Sequence, residues 1–186
     1  MSSYFQYVPR IAPIGLLTFA LVLIASTANA TQQDTDHFRV TVYSDTRGYQ
    51  ELSIGHYDAA VSQIETSRGL DEVNRFEAAT NLCVAQMMAG RFDSARTACD
   101  VAVKTARSAA TAAPTWGPRA GAAYQADVAI AYANRAVLHW LIDDTQSAAS
   151  DLAQAKRFAP KADVVVRNLA ALNAEDQTAT QLRLAQ

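Results

Sequence analysis

Two stretches of the chain decide its fold. Gly55-His56-Tyr57-Asp58-Ala59-Ala60-Val61-Ser62-Gln63-Ile64 and Gly90-Arg91-Phe92-Asp93-Ser94-Ala95-Arg96-Thr97-Ala98-Cys99 both read Gly-x-aromatic-Asp-x-Ala-x-x-x-apolar, 35 residues apart. A third copy, Asp143-Asp144-Thr145-Gln146-Ser147-Ala148-Ala149-Ser150-Asp151-Leu152, follows 53 residues later. It lacks the Gly and the aromatic but keeps the Ala and the apolar residue in register. A small residue follows each copy at a fixed distance (Ser67, Ala102, Ala155), and another precedes it (Gly48, Cys83, Ala136). Self-similarity at this period is the signature of stacked supersecondary units.

The pattern describes two antiparallel helices per unit. Gly closes the first helix where a left-handed backbone is needed. The aromatic and the Asp open the second, with the carboxylate near the positive end of the helix dipole. Small residues stand where helices cross closely, and the apolar residue four places after the Ala fills the seam. Composition agrees. Gly (7) and Pro (5) are scarce against the roughly 13 and 9 typical of this length, while Ala is abundant. That balance favours helices and disfavours many-stranded β architectures. Apolar residues make up 50% of the chain and the net charge is only -2, which excludes general disorder and general nucleic-acid binding.

The pattern resembles the tetratricopeptide repeat (TPR), over about 41–74, 76–109 and 129–162. Phe158-Ala159-Pro160 fits the family's closing Pro, and Asn81 and Asn134 occupy another of its common columns. The first unit departs from the family by lacking large residues early in helix one, and the middle unit has Cys in two motif columns. The resemblance implies an all-α, antiparallel helix-pair solenoid of about three repeats, with an insert at 110–128 and a C-terminal capping helix over 162–184. Helices are expected near 45–54, 57–68, 71–89, 92–109, 119–142, 145–158 and 162–184. Pro114, Gly117 and Pro118 mark the linker.

Residues 1–30 read as an address. They contain no acidic residue, one basic side chain (Arg10), an apolar run from Ile11 to Ile24, and a small-x-small end at Ala28-Asn29-Ala30. A cleavable signal peptide, cut before Thr31, is expected. The apolar run of about fourteen residues is short of the ~20 that span a bilayer, so no stable membrane anchor is expected after cleavage. Export would use the general secretory route to a periplasm, with secretion as the alternative. Removing Arg10 leaves 15 basic against 18 acidic residues. Residues 31–43 read as an exposed, extended arm in which Phe38-Arg39-Val40-Thr41-Val42-Tyr43 alternates like a strand but has no obvious partner. The helical domain then runs from 44 to 186.

The resemblance also pairs Cys83 with Cys99, because their columns face each other across a helix hairpin. An oxidising compartment permits a disulfide there; two buried thiols acting as small apolar residues are the other reading. His37, His56 and His139 show no metal-ligand spacing, and no phosphate loop or nucleophile elbow is present. The chain is therefore read as a non-enzyme without cofactor or metal. In this family ligands lie in the concave groove lined by the first helix of each repeat. That register assigns Thr80, Asn81, Val84, Met87, Met88, Asn134, Val137 and Trp140 to a groove for a protein or peptide partner. The alternative is a structural or self-associating module whose groove is filled by the insert or the arm.

Overall fold

The computed structural model describes residues 2–6, 38–67, 75–112 and 118–184; side chains are described within 38–67, 75–112 and 120–174. Its elements in chain order are β1 (Ser2–Gln6), β2 (Arg39–Tyr43), α1 (Tyr49–Ser53), α2 (Tyr57–Ser67), α3 (Arg75–Met88), α4 (Phe92–Ala112), α5 (Pro118–Leu141), α6 (Thr145–Phe158) and α7 (Asp163–Leu184). The fold is all-α and repeat-like, with one short antiparallel ribbon formed by β1 and β2.

The three sequence copies fold alike, hydrogen bond by hydrogen bond. Each first helix ends with the same pair of 5→2 and 6→1 backbone bonds: Gly55 N–H to Leu52 O with His56 N–H to Glu51 O, Gly90 to Met87 with Arg91 to Gln86, and Asp143 to Trp140 with Asp144 to His139. This closure needs a left-handed residue after the helix. Gly55 (φ 81°) and Gly90 (φ 74°) supply it cheaply, and in the third copy Asp143 takes the same conformation at φ 61°. Asp144 then caps α6 by accepting from Ser147 N–H at 3.0 Å, which accounts for the Asp143-Asp144 pair. The carboxylate of Asp144 is held below its ordinary value by hydrogen bonding from the Ser147 side chain and then from its backbone N–H.

The small and apolar columns form the core. Ala60, Ala95 and Ala148, and likewise Ile64, Cys99 and Leu152, are fully buried. Ser67, Ala102, Ala155, Cys83 and Ala136 are buried as well. At Gly48 (φ 79°) an added Cβ would sit 2.7 Å from Ile64 Cγ1 and 2.9 Å from the Ala60 carbonyl oxygen, so this crossing admits no side chain. Cys83 and Cys99 form a disulfide that joins α3 to α4. Arg135 on α5 joins three helices: it forks onto Asp151 of α6 at 2.7 and 2.8 Å and reaches Asp100 of α4 at 2.7 Å. The hydrogen bonds to Asp151 hold the guanidinium firmly protonated.

Three expectations are revised. Residues 38–43 are not an exposed tail: Phe38, Val40, Thr41 and Val42 are buried, and Arg39–Tyr43 pairs with Ser2–Gln6. The helices flanking the linker reach a little further into the insert than the expected 92–109 and 119–142, because α4 continues to Ala112 and α5 begins at Pro118. Proline lacks the N–H that a first turn leaves unused, so Pro118 starts a helix well. The first helix is short, Tyr49–Ser53, because residues before Gly48 form turns that lead out of the arm. The signal peptide's apolar run and cleavage site, Leu70 to Asn74, and Pro114 to Gly117 lie outside the described residues.

Candidate functional site: an asparagine ladder on an extended strand

The first helices α3, α5 and α7 stand in a row, and β2 lies along it. Its placement follows from backbone chemistry. A strand in a helical groove has no neighbouring strand on that side to satisfy its N–H and C=O groups, and burying them unpaired is costly. Three asparagines supply the missing bonds. Asn81 of α3 accepts from Tyr43 N–H (2.7 Å) and donates to Tyr43 O (2.8 Å). Asn134 of α5 does the same for Thr41, at 2.9 and 2.8 Å. Asn168 of α7 does it for Arg39, at 2.7 and 2.9 Å.

Each carboxamide therefore acts as a short piece of β-strand, offering one acceptor and one donor to a single residue. The rungs fall on every second residue because only alternate residues of a strand present their polar groups to the same edge. The strand runs from α7 toward α3, so the arm links the last described helix, through a contact between residues 129 apart in sequence, to the second repeat. Asn81 Nδ2 also meets Thr46 Oγ1, which in turn donates to Tyr43 O at 3.1 Å.

Aromatic groups pin both ends. The Phe38 ring lies 4.6 Å from that of Trp140, tilted by 32°, and the Tyr43 ring meets Phe76 edge-on at 5.4 Å. Tyr43 Oη donates to Asp127 Oδ1 at 2.7 Å. Burial raises the Asp127 carboxyl above its ordinary value, and the tyrosine's hydrogen bond opposes that shift. Glu77 is raised too, by burial first and then by the nearby charges of Asp127 and Asp45. The arm is thus held at its ends by aromatic packing and along its length by main-chain bonds.

The structure divides the expected groove residues into two sets. Asn81, Asn134 and Trp140 touch the arm. Thr80, Val84, Met87 and Val137 are buried in the core between helices, Thr80 donating to its own helix at Phe76 O (2.9 Å). Met88 is half-buried against the core. A helical face is narrow, and neighbours of the asparagines rotate by about 100° per residue away from the groove. Sequence reasoning missed Asn168, Tyr43 and Asp127. Asn168 had a signal: it stands 34 residues after Asn134, one repeat length on.

Elsewhere, His56 lies beside Glu51 at 3.1 Å on the surface. His139 is largely buried, between Asp144 (3.5 Å) and Asp151 (3.7 Å). Among the described residues no group of three or more His, Cys, Asp or Glu side chains is arranged to hold a metal ion. No described helix is long and apolar enough to cross a membrane. An open cleft between α4 and α5 is lined by Asp100, Lys104, Arg107 and Arg135, among others. Arg135 is already engaged there, and Arg107 reaches Tyr132 Oη at 3.5 Å. In comparisons with known proteins, no family model, no curated protein and no solved structure matches the chain.

Proposed function

We propose that the chain is a non-catalytic, exported module of tetratricopeptide type that serves protein–protein assembly in the periplasm, with its groove filled by its own arm. The observation that carries this reading is the asparagine ladder: three two-point contacts, one per first helix, all directed at the main chain of residues 39–43. A repeat groove built to receive an extended segment is thereby occupied in cis. The arm is joined to α1 by only a few residues, so its effective concentration at the groove is in the millimolar range or above. The Cys83–Cys99 disulfide supports an oxidising compartment, and residues 1–30 support export.

A second reading, a peptide-binding adaptor, rests on the same ladder. The forks grip backbone atoms, so another extended segment could replace the arm by strand exchange. Trp140 discriminates the two readings, because the Phe38 ring lies against it. The chain's other tryptophan, Trp116, is replaced by Phe in the mature chain, residues 31–186, and Trp140 emission is titrated with peptides of alternating β-branched and aromatic sequence. A filled groove leaves the emission unchanged to millimolar peptide. A saturable change at micromolar peptide would replace the self-filled reading with the adaptor.

A further inference from the structure

The asparagines satisfy only one edge of β2. Arg39, Thr41 and Tyr43 point their N–H and C=O groups at the helices. Val40 and Val42 therefore point theirs at the opposite edge. There β1 pairs antiparallel, with Phe5 opposite Val40 and Ser3 opposite Val42. An antiparallel strand thus fits this edge. Yet β1 belongs to the segment read as the leader. In export the residues before the apolar run stay on the cytoplasmic side while those after the cut cross the membrane. In the mature protein β1 cannot be the strand that fills the edge.

We propose that a second copy of the chain fills it, β2 pairing with β2 about a two-fold axis through Thr41. This inference rests on the leader reading given above and goes beyond it. Two-fold antiparallel pairing places Val40 opposite Val42 of the second copy and Thr41 opposite Thr41. Val40 and Val42 are the residues whose polar groups face outward, so both valine pairs become hydrogen-bonded pairs and close four main-chain bonds. Arg39 falls opposite Tyr43, so no like charges meet across the pair.

Thr41 bears on which strand fits. With β1 on this edge Tyr4 stands opposite Thr41, whose side chain is then fully buried and whose hydroxyl lacks a hydrogen-bond partner among the described residues. On the axis it stands in a non-hydrogen-bonded pair, where side chains approach most closely and Thr–Thr hydrogen bonds form. The strand is then satisfied on both edges, by three asparagines on one side and its twin on the other. Exposed strand edges otherwise invite indiscriminate pairing.

Sedimentation of the mature chain, residues 31–186, over a wide concentration range tests this directly. The expected result is a reversible monomer–dimer equilibrium, shifted at least tenfold toward monomer by Val42→Pro. That substitution removes an outward N–H while leaving every asparagine contact in place. Should Val42→Pro fail to fold, Thr41→Cys provides the second reading. Residues in such a pair lie about 4.5 Å apart at Cα, within disulfide range, so mild oxidation should give a covalent dimer. A mature chain that stays monomeric at every concentration and does not crosslink through Thr41→Cys overturns the proposal. So does a monomer that accepts a strand from a different protein at this edge. N-terminal sequencing of the exported protein reads separately whether residues 1–30 have been removed.

Discussion

Replacing Asn134 by alanine should cost more than any loss of its own packing, because it strands two buried backbone groups. Asn134 makes bonds of 2.9 and 2.8 Å to the N–H and C=O of Thr41, a residue with no solvent exposure. A buried donor or acceptor left without a partner costs about 1–3 kcal/mol. Two of them set a range of roughly 2–6 kcal/mol, and a water entering the vacated space would recover part of it. The expected loss is thus about 2–4 kcal/mol in urea unfolding of the mature chain, or some 2–4 °C in melting temperature per kcal/mol at this size. Asn134→Asp sharpens the test. It is isosteric and still accepts from Thr41 N–H, but at neutral pH it sets a carboxylate against Thr41 O. Its deficit should equal or exceed that of alanine near pH 7. It should shrink as pH falls and the protonated carboxyl regains a donor. Asn134→Ala within about 0.5 kcal/mol of wild type would refute the reasoning, since that is the range of an inconsequential surface change.

Three further outcomes follow from other parts of the fold. Asp143 holds a left-handed conformation that costs an L-residue roughly 1–2 kcal/mol, less for Asp, so Asp143→Gly should stabilise and Asp143→Val destabilise, by about 1 kcal/mol each in chemical denaturation. Reducing the Cys83–Cys99 bridge, which spans 16 residues, should lower stability by about 3 kcal/mol on the chain-entropy account, read as a shift of the urea midpoint. Burial raises the Asp127 carboxyl above its ordinary 3.8, so the folded state holds its proton to higher pH than the unfolded chain. The stability of wild type relative to Asp127→Asn should therefore decline as pH rises above 3.8 and level off once the folded carboxyl has ionised. A difference independent of pH in parallel urea titrations would show that Asp127 is not desolvated.

The repeat architecture was readable because packing leaves a mark at fixed positions. Ala60, Ala95 and Ala148 are small where helices cross, and Ile64, Cys99 and Leu152 fill the seam; no other element is needed to explain them. The third turn was harder to see. Asp143 replaces a glycine, and only the backbone reveals that it adopts the glycine's conformation. The strand character of residues 38–43 was visible in their alternation, but their destination was not. Partners 93 and 129 residues away leave no local trace. The groove assignment mixed two neighbouring helical faces. Asn81, Asn134 and Trp140 meet the arm, whereas Val84, Met87 and Val137 turn into the core. Asn168 lies in α7, whose sequence reads as a cap although the repeat period continues into it.

The arm lies in the groove with its alternate residues held by asparagines. Amide hydrogen exchange of the mature chain, resolved by residue, tests this most directly. Arg39, Thr41 and Tyr43 should exchange slowly, at rates set by opening of the helical domain. Asn81→Ala, Asn134→Ala and Asn168→Ala should each release the amide of its own partner first. Exchange of all three amides at the rate of a free tail would contradict the account.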